Sequence, residues 1–391
     1  MNRRHAKKMV RIKQFLLVIG IILLILFGKL VFNAAKYIPV LYGLVFQKTI
    51  SVKTTADNKV NILLLGTGGG SHDGPNLTDT IIFASIDPAS KSATLISLPR
   101  DLWVPEVHGK INSAYANAED EKKGSGLTLA KATVGHILNQ HIDYGFRIDF
   151  SGFVKAIDLL GGVDVTVDNT LDDYAYPVEG KEDDTCGLSE DEIASRSAQI
   201  ASSSATEGAQ FPCRYEHLHI PKGLQHMDGT TALKFVRSRH ALGAEGSDFA
   251  RSKRQQKVIE AVKAKVFSAG TFLNPIKLTQ LYDTFKDSID TDISQEEYDD
   301  FIKLAQKMKS GKITSAVIDT EPQPNGESLL YNPTERGEDL TPYYGAWVLI
   351  PTDGNGNYSG IQSYVACLTN SKLCPKPTPM PTLPGHKVPV K

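Results

Sequence analysis

Residues 15–35, FLLVIGIILLILFGKLVFNAA, are apolar almost without a break. That is about the 20 residues a bilayer-spanning helix needs, and the one charge, Lys29, can snorkel to the interface. A shorter continuous apolar run, VNILLLG (60–66), reads as a buried strand. TDTIIFASID (78–87) and SATLISLPRD (92–101) are β-rich runs flanking the turn signal Asp87-Pro88-Ala89-Ser90, which predicts a hairpin. If the turn centres between Asp87 and Ser92, Asp79 lies opposite Arg100.

Helical spacing follows in LTLAKATVGHILNQH (127–141) and in FSGFVKAIDLLGG (150–162), which ends on glycines as helices do. VDVTV (163–167) is a strand candidate, ALKFVRSR (232–239) resumes the core as a strand, and a helix is expected from Phe249 to about Val266. LTQLYDTFKDSIDTDIS (278–294) and EEYDDFIKLAQKMKSG (296–311) read as further helices. The polar stretch 171–222 reads as a long excursion outside the core. Strands interleaved with helices predict an α/β protein, an α/β/α sandwich with a mixed central sheet, preceded by one transmembrane helix. The expected organisation is a basic tail (1–14), the membrane helix (15–35), a stem (36–58), the α/β domain (59–320), a C-terminal appendage (321–374) and a proline-rich disordered tail (375–391).

The formal charge of −1 conceals an asymmetry. Residues 1–13 carry six basic side chains and no acid, so the remainder carries −7 (−1 less +6). Basic residues before the apolar run put the N-terminus in the cytoplasm and the rest of the chain outside the cell membrane. A cleaved signal peptide is the competing reading, against which stand the length of the run and the poor cleavage site at 32–35. A mildly acidic body argues against a nucleic-acid partner. The four cysteines, Cys186, Cys213, Cys367 and Cys374, all lie in the outer part, where disulfides persist. Spacing suggests Cys186–Cys213 and Cys367–Cys374, although three pairings are possible, and a zinc site lacks the usual CxxC.

Candidate chemistry concentrates in KFVRSRHALGAEGSDFARSKRQQKVIEAV (234–262). Ser247 and Asp248 suit the N-cap of the following helix. At helical spacing Arg251 and Gln255 share a face with Val258, Val262 and Val266, with Arg254 at its border. Arg237 and Arg239, two apart in a strand, point to one face. Arginines converging on a helix N-terminus suit an anion, phosphate above all, or else salt bridges to Asp248 or Glu245. Asp79 and Arg100 on one sheet edge suit a metal-bridged phosphate or a simple ion pair. GTGGGSHDG (66–74) lacks the third glycine of GxGxxG and the lysine of a P-loop, so it reads as a loop beside the site. His72 and Asp73 there are either ligands or part of a solvated turn. No GxSxG or HExxH is present. What remains suits phosphoryl transfer by positioning and charge neutralisation.

The ordered blocks DTIIFASID, ISLPRD, KINSAYA (110–116), DFSGFVKAIDLLGGVDVTV (149–167), FVRSRH and DFARSKRQQ resemble the LytR–CpsA–Psr family. The resemblance implies a membrane-anchored enzyme that binds a polyprenyl-diphosphate-linked glycan. It implies transfer of the glycan phosphate to a peptidoglycan hydroxyl, with release of polyprenyl phosphate. By the same resemblance Arg100, Arg237, Arg239, Arg251 and Gln255 surround the diphosphate, and Asp79 is the carboxylate associated with Mg²⁺. Asp79 is also the expected base for the acceptor hydroxyl, with Asp248 the alternative. The sequence departs from the family twice: Leu77 stands where an arginine is frequent and Gly68 where an aspartate is, so either Asp73 or His72 substitutes at the metal or the metal is bound more weakly. Hydrolysis of the same diphosphate, and non-catalytic retention of the lipid, are the other classes these residues allow. The family's older label as transcriptional regulators finds no support in them.

Overall fold

VNILLLGT forms a strand buried on both faces because every second side chain meets a different layer of apolar residues. The computed structural model describes residues 49–70, 74–202, 207–266, 288–321 and 328–370. In chain order the principal elements are β1 (Val60–Thr67), β2 (Thr78–Asp87), β3 (Ser92–Leu98), α1 (Ser113–Glu121), α2 (Gly126–Leu138), β4 (Tyr144–Asp149), α3 (Phe150–Leu159), β5 (Val163–Val167) and β6 (Leu171–Pro177). They continue with α4 (Glu190–Ala201), β7 (Tyr215–Ile220), β8 (Gly223–Met227), α5 (Gly229–Arg237), α6 (Asp248–Val266), β9 (Ile289–Thr291), α7 (Tyr298–Lys307), β10 (Lys312–Val317) and α8 (Ser359–Thr369).

Six strands make the central sheet in the order β9-β4-β1-β2-β3-β10. It is mixed: β1 runs parallel to β4 and antiparallel to β2, and β3 runs parallel to β10. The β2–β3 hairpin has the expected register, with Ile81 opposite Leu98 and Asp87 opposite Ser92. One face of the sheet, through Leu63, Leu65, Phe83 and Ile96, packs on Val134 and Ile137 of α2. The other, through Ile62, Leu64, Ile82 and Leu95, packs on Ile259 of α6. Helices therefore cover both faces, the layered arrangement that the interleaved pattern predicted.

A second core lies under the antiparallel strand pairs β5–β8 and β6–β7. Val163, Val165, Leu171, Tyr176, Leu218 and Ile220 bury there with Ile157 of α3, Phe235 of α5 and Val258 of α6. This corrects the reading of 171–222 as an excursion outside the core. In YEHLHI the inward residues are Leu218 and Ile220 alone, and in LDDYAYP the inward set of Leu171, Asp173 and Tyr176 includes an acid, so the stretch reads as polar although one face is buried. The remainder of that stretch carries α4, entered by a capping box between Ser189 and Glu192, and is closed by the Cys186–Cys213 disulfide.

ALKFVRSR is a helix end and not a strand. Asp228 caps α5 by accepting from the Thr231 N–H at 2.7 Å. Gly229 lets α5 approach α3 closely, since a Cβ there would sit 2.2 Å from the Val154 carbonyl oxygen. Of 278–294, residues 289–291 form strand β9, and 278–287 lie outside the described residues. The membrane run 15–35, the stem to residue 48, and Cys374 with the proline-rich tail also lie outside them. Among the described residues no helix is long and apolar enough to cross a membrane.

The chain divides into two compact units, 53–292 with 308–391, and 1–52 with 293–307. The described part of the second is residues 49–52 and 293–307, where Lys303 of α7 pairs with Asp299 and Asp300 at 2.8 and 3.0 Å. Residues 328–370 belong to the first unit and are not an appendage. Leu330, Leu349, Tyr358, Ile361 and Val365 join Leu63 and Phe83 in one core. Trp103 packs edge-on against the buried Tyr343, whereas Tyr344 and Trp347 are exposed. Ile361→Ala is expected to destabilise the protein by about 2–5 kcal/mol in one urea transition. A main transition left unmoved would show that 328–370 fold separately.

Candidate functional site: an apolar cavity with an arginine-lined mouth

The stretch 234–262 places its arginines by burying one of them. Helix α6 opens with Ser247 Oγ accepting from the Ala250 N–H at 3.1 Å. One turn on, Arg254 is 2% exposed. Its Nε donates to Phe235 O at 2.8 Å, Nη2 to Ser238 O at 2.6 Å, and Nη1 to Glu245 O at 2.8 Å and Glu245 Oε2 at 3.0 Å. From the other side, the fully buried Asp173 of β6 accepts from Ser238 Oγ at 2.7 Å and from the His240 N–H at 3.3 Å. The segment Arg237–Ala241 is thus clamped between two helices and a hairpin. Burial pulls the Arg254 pKa down, and Glu245 and Asp173 oppose that pull.

Arg237, Arg239, Arg251, Gln255, Arg100 and Asp79 all border one cavity of about 570 Å³. Its body is apolar, enclosed by Leu64 and Ile82 of the sheet, Phe153 and Ile157 of α3, and Val258 and Ile259 of α6. The volume lies within the roughly 300–1,000 Å³ usual for small-molecule sites. The charged and polar groups come from three different regions of the chain, yet the fold collects them at this one recess.

Arg100 and Asp79 meet just beyond the last paired residues of β2 and β3, where the register predicted. Arg100 Nη1 donates to Asp79 Oδ1 at 2.6 Å, and Nε lies 3.4 Å from Asp101 Oδ2. Lys110 Nζ holds the other Asp101 oxygen at 2.6 Å. Burial acts against the Arg100 charge, but Asp79 and Asp101 outweigh it and leave the pKa above the ordinary arginine value. Among the described residues only Oδ1 of Asp79 is engaged, and the side chain is 43% exposed. Gln255 Nε2 donates to Thr80 Oγ1 at 3.0 Å, tying α6 to the edge of β2.

The structure sorts the alternatives left open by spacing. Arg254 takes the salt bridge to Glu245 and is structural. Arg237, at the helix end, lies over the Phe150 ring at 4.1 Å. Asp73 and His72 lie outside the described residues. Four residues at the cavity were missed: Phe150, Tyr176, His240 and Asp149. Asp149 is the N-cap of α3, its Oδ1 accepting from the Gly152 N–H at 2.9 Å. Gly69, at φ +68°, comes so close that a Cβ there would sit 2.6 Å from Asp149 Cβ. An aspartate between a strand and a helix was a readable capping signal. Tyr176 was hidden in the hairpin read as excursion; burial, against the pull of Arg237, raises its pKa and keeps the phenol protonated.

The model of the LytR_cpsA_psr family matches residues 44–339. The chain belongs to the LytR–CpsA–Psr family. Among curated relatives, a polyisoprenyl-teichoic acid–peptidoglycan teichoic acid transferase, TagU, of Bacillus cereus is 26% identical over 299 residues, covering 75% of this chain and 80% of its own. TagU of Enterococcus faecalis is 27% identical over 318 residues, covering 77% and 86%. The fold is that of solved members. A crystal structure described as a transcriptional regulator from Enterococcus faecalis aligns with TM-score 0.51 at 21% identity, over 81% of this chain and 91% of that one. TagV of B. subtilis aligns with TM-score 0.50 at 20% identity, over 81% and 99%.

Two measurements check the site. Arg254→Met leaves the carbonyls of Phe235 and Ser238 and the Glu245 carboxylate without their donor. It is expected to cost about 3–5 kcal/mol in denaturant unfolding, against near zero if the clamp were incidental. Arg237→Ala and Arg251→Ala are each expected to weaken pyrophosphate binding roughly tenfold or more by calorimetry, the worth of one charge-assisted hydrogen bond. Lys253→Ala, exposed and paired with Asp168 at 3.4 Å, is the control that should bind normally.

Proposed function

We propose that this protein transfers a phospho-glycan from a polyprenyl-diphosphate carrier to a peptidoglycan hydroxyl and releases polyprenyl phosphate. The observation that carries the reading is a single recess lined both by apolar side chains and by the guanidinium groups of Arg100, Arg237, Arg239 and Arg251. A polyprenyl diphosphate has the same division, a hydrocarbon chain ending in two phosphates. Burying the chain contributes about 0.8 kcal/mol per methylene, and planar forked donors match phosphate oxygens. The teichoic acid transferases among its relatives carry the corresponding names.

In this reading Arg237, Arg239 and Arg251 hold the diphosphate, with the first turn of α6 aimed at it. Gln255 fixes its orientation from the Thr80 side. Arg100 begins paired with Asp79, and the arriving diphosphate competes for its guanidinium and releases the carboxylate. Asp79 then accepts the proton of the acceptor hydroxyl. The hydroxyl oxygen attacks the phosphorus bonded to the glycan, a new phosphodiester forms, the P–O–P bond breaks, and polyprenyl phosphate leaves with the electron pair.

Mg²⁺ is the expected cofactor, and the donor set was tested for it. Asp79 offers one carboxylate at the mouth, and Asp149 has Oδ1 engaged by Gly152 and Ser151. No group of three carboxylate, histidine or cysteine ligands surrounds the cavity among the described residues. This fits an ion that takes one or two carboxylates and completes its shell with substrate phosphates and water, as Mg²⁺ does. When bound, it would neutralise charge developing on the bridging oxygen. Asp79 would hold it; Asp73 lies outside the described residues.

The reading places the α/β domain on the outer face of the cell membrane, anchored by 15–35 with the N-terminus inside. The six basic residues of 1–13 and the Cys186–Cys213 disulfide support this.

The test incubates the full chain in detergent with a short-chain polyprenyl diphospho-glycan, Mg²⁺ and peptidoglycan oligomers. Glycan–phosphate–peptidoglycan and polyprenyl phosphate are expected in equal amounts, with turnover lost on chelation. Asp79→Asn is expected to lower kcat by roughly 100-fold or more while still binding the donor. Free glycan phosphate whether or not oligomers are present would assign a hydrolase. Tight donor binding with no Mg²⁺-dependent turnover would overturn catalysis altogether.

A further inference from the structure

A second cluster of ligating side chains lies on the outer face of the β6–β7 hairpin. Asp172 pairs with His219 across the two strands, and His217 is two residues from His219 on the same strand. By the alternation of a strand all three project from one face, while Leu218 and Ile220 point into the core. Both imidazoles converge on one carboxylate oxygen: His217 Nε2 is 2.9 Å and His219 Nδ1 2.8 Å from Asp172 Oδ1. The three candidate ligand atoms lie within 4.8 Å of one another, and all three side chains reach solvent. The Tyr174 ring stacks flat on His217, with centroids 4.0 Å apart and planes 5° apart, and so fixes that imidazole.

We propose that Asp172, His217 and His219 form a binding site for a divalent transition metal of the zinc class, separate from the phosphate-binding mouth. Two imidazoles and a carboxylate are a borderline donor set that selects Zn²⁺, Cu²⁺ or Ni²⁺ over Mg²⁺. Three protein ligands leave a fourth tetrahedral position for water. A carboxylate only accepts, so each facing nitrogen now carries a proton. Metal binding transfers that proton to the far ring nitrogen, or releases one from an imidazolium, and the ion takes its place between the ligands. The other cluster of this kind among the described residues, Asp184 with Cys186 and Cys213, is consumed by the disulfide and offers no thiolate. His226 with Asp164, at 2.7 Å, supplies only two ligands.

The site has a mechanical connection to the arginine loop. Asp172 O accepts from the Leu242 N–H at 2.7 Å, and the next residue, Asp173, holds Ser238 and His240. A metal joining β6 to β7 therefore braces the strand that anchors Arg239.

The test titrates the metal-free full chain with Zn²⁺ by calorimetry at pH 7.5 and follows thermal unfolding in parallel. One tight site is expected, unaffected by millimolar Mg²⁺, with a Tm that rises on zinc addition. His217→Ala with His219→Ala, and separately His219→Gln, should weaken zinc binding at least tenfold, while His226→Ala should not. Circular dichroism confirms that each variant is folded; these exposed side chains carry no core packing. Equal zinc affinity in the double variant and the parent, or no binding at micromolar zinc, would overturn the proposal.

Discussion

Arg254 donates to the carbonyls of Phe235, Ser238 and Glu245 from a position closed to solvent, and the geometry of the site follows from that set of bonds. The last carbonyls of a helix have no partners within it, and a cation there is favoured by the helix dipole. Arg254 answers both needs for α5, and it does so from the second turn of α6. The C-terminus of one helix is thereby fixed to the N-terminal region of the next, and Arg237, Arg239 and Arg251 are fixed with them. A buried charge without partners would be untenable; with Glu245 beside it and carbonyls around it, it becomes a constraint on shape.

The cavity adds the second requirement, a place where hydrocarbon is stable next to a place where phosphate is stable. Sheet residues Leu64 and Ile82 and helix residues Phe153 and Val258 supply the first. The second needs cations held at the recess. Arg254 is neutralised by Glu245, and Arg100 shares Asp79 and Asp101, so the two arginines play different parts despite their common chemistry. A pair such as Arg100–Asp79, 27% and 43% exposed, is weak enough to be exchanged for a doubly charged ligand.

Much of the sheet was legible in the sequence because its signals are local. The β2–β3 register followed from the position of one turn, and it put Arg100 beside Asp79 without any tertiary information. Helical spacing likewise put Arg251 and Gln255 on the cavity side of α6. The failures share a cause. ALKFVRSR is too short for its apolar spacing to separate strand from helix, and the deciding feature, the Asp228 cap, precedes the run. The β6–β7 hairpin buries one face only, so Tyr176 and Asp173 were lost in a polar average. The role of 328–370 rests on packing into a core built by strands far earlier in the chain, Val365 sharing one cluster with Leu63, 302 residues before it (365 less 63), and no local pattern announces that.

The two departures from the family pattern illustrate how charge balance constrains such a site. Leu77, where an arginine is frequent, folds into the turn that follows the glycine-rich loop. Its N–H donates to Gly74 O at 2.9 Å, and its side chain occupies the space a Cβ on Gly74 would need, 2.5 Å from Leu77 Cδ1. Gly68, where an aspartate is frequent, lies in the same loop. One cation and one anion are therefore absent together, and the net formal charge of the segment is the same as if both were present. The arginines that line the cavity come from the hairpin edge, the end of α5 and the start of α6. For the proposed transfer, the absent aspartate would bear on how tightly Mg²⁺ is held beside Asp79, and the guanidinium groups lining the cavity would still be those that face the diphosphate.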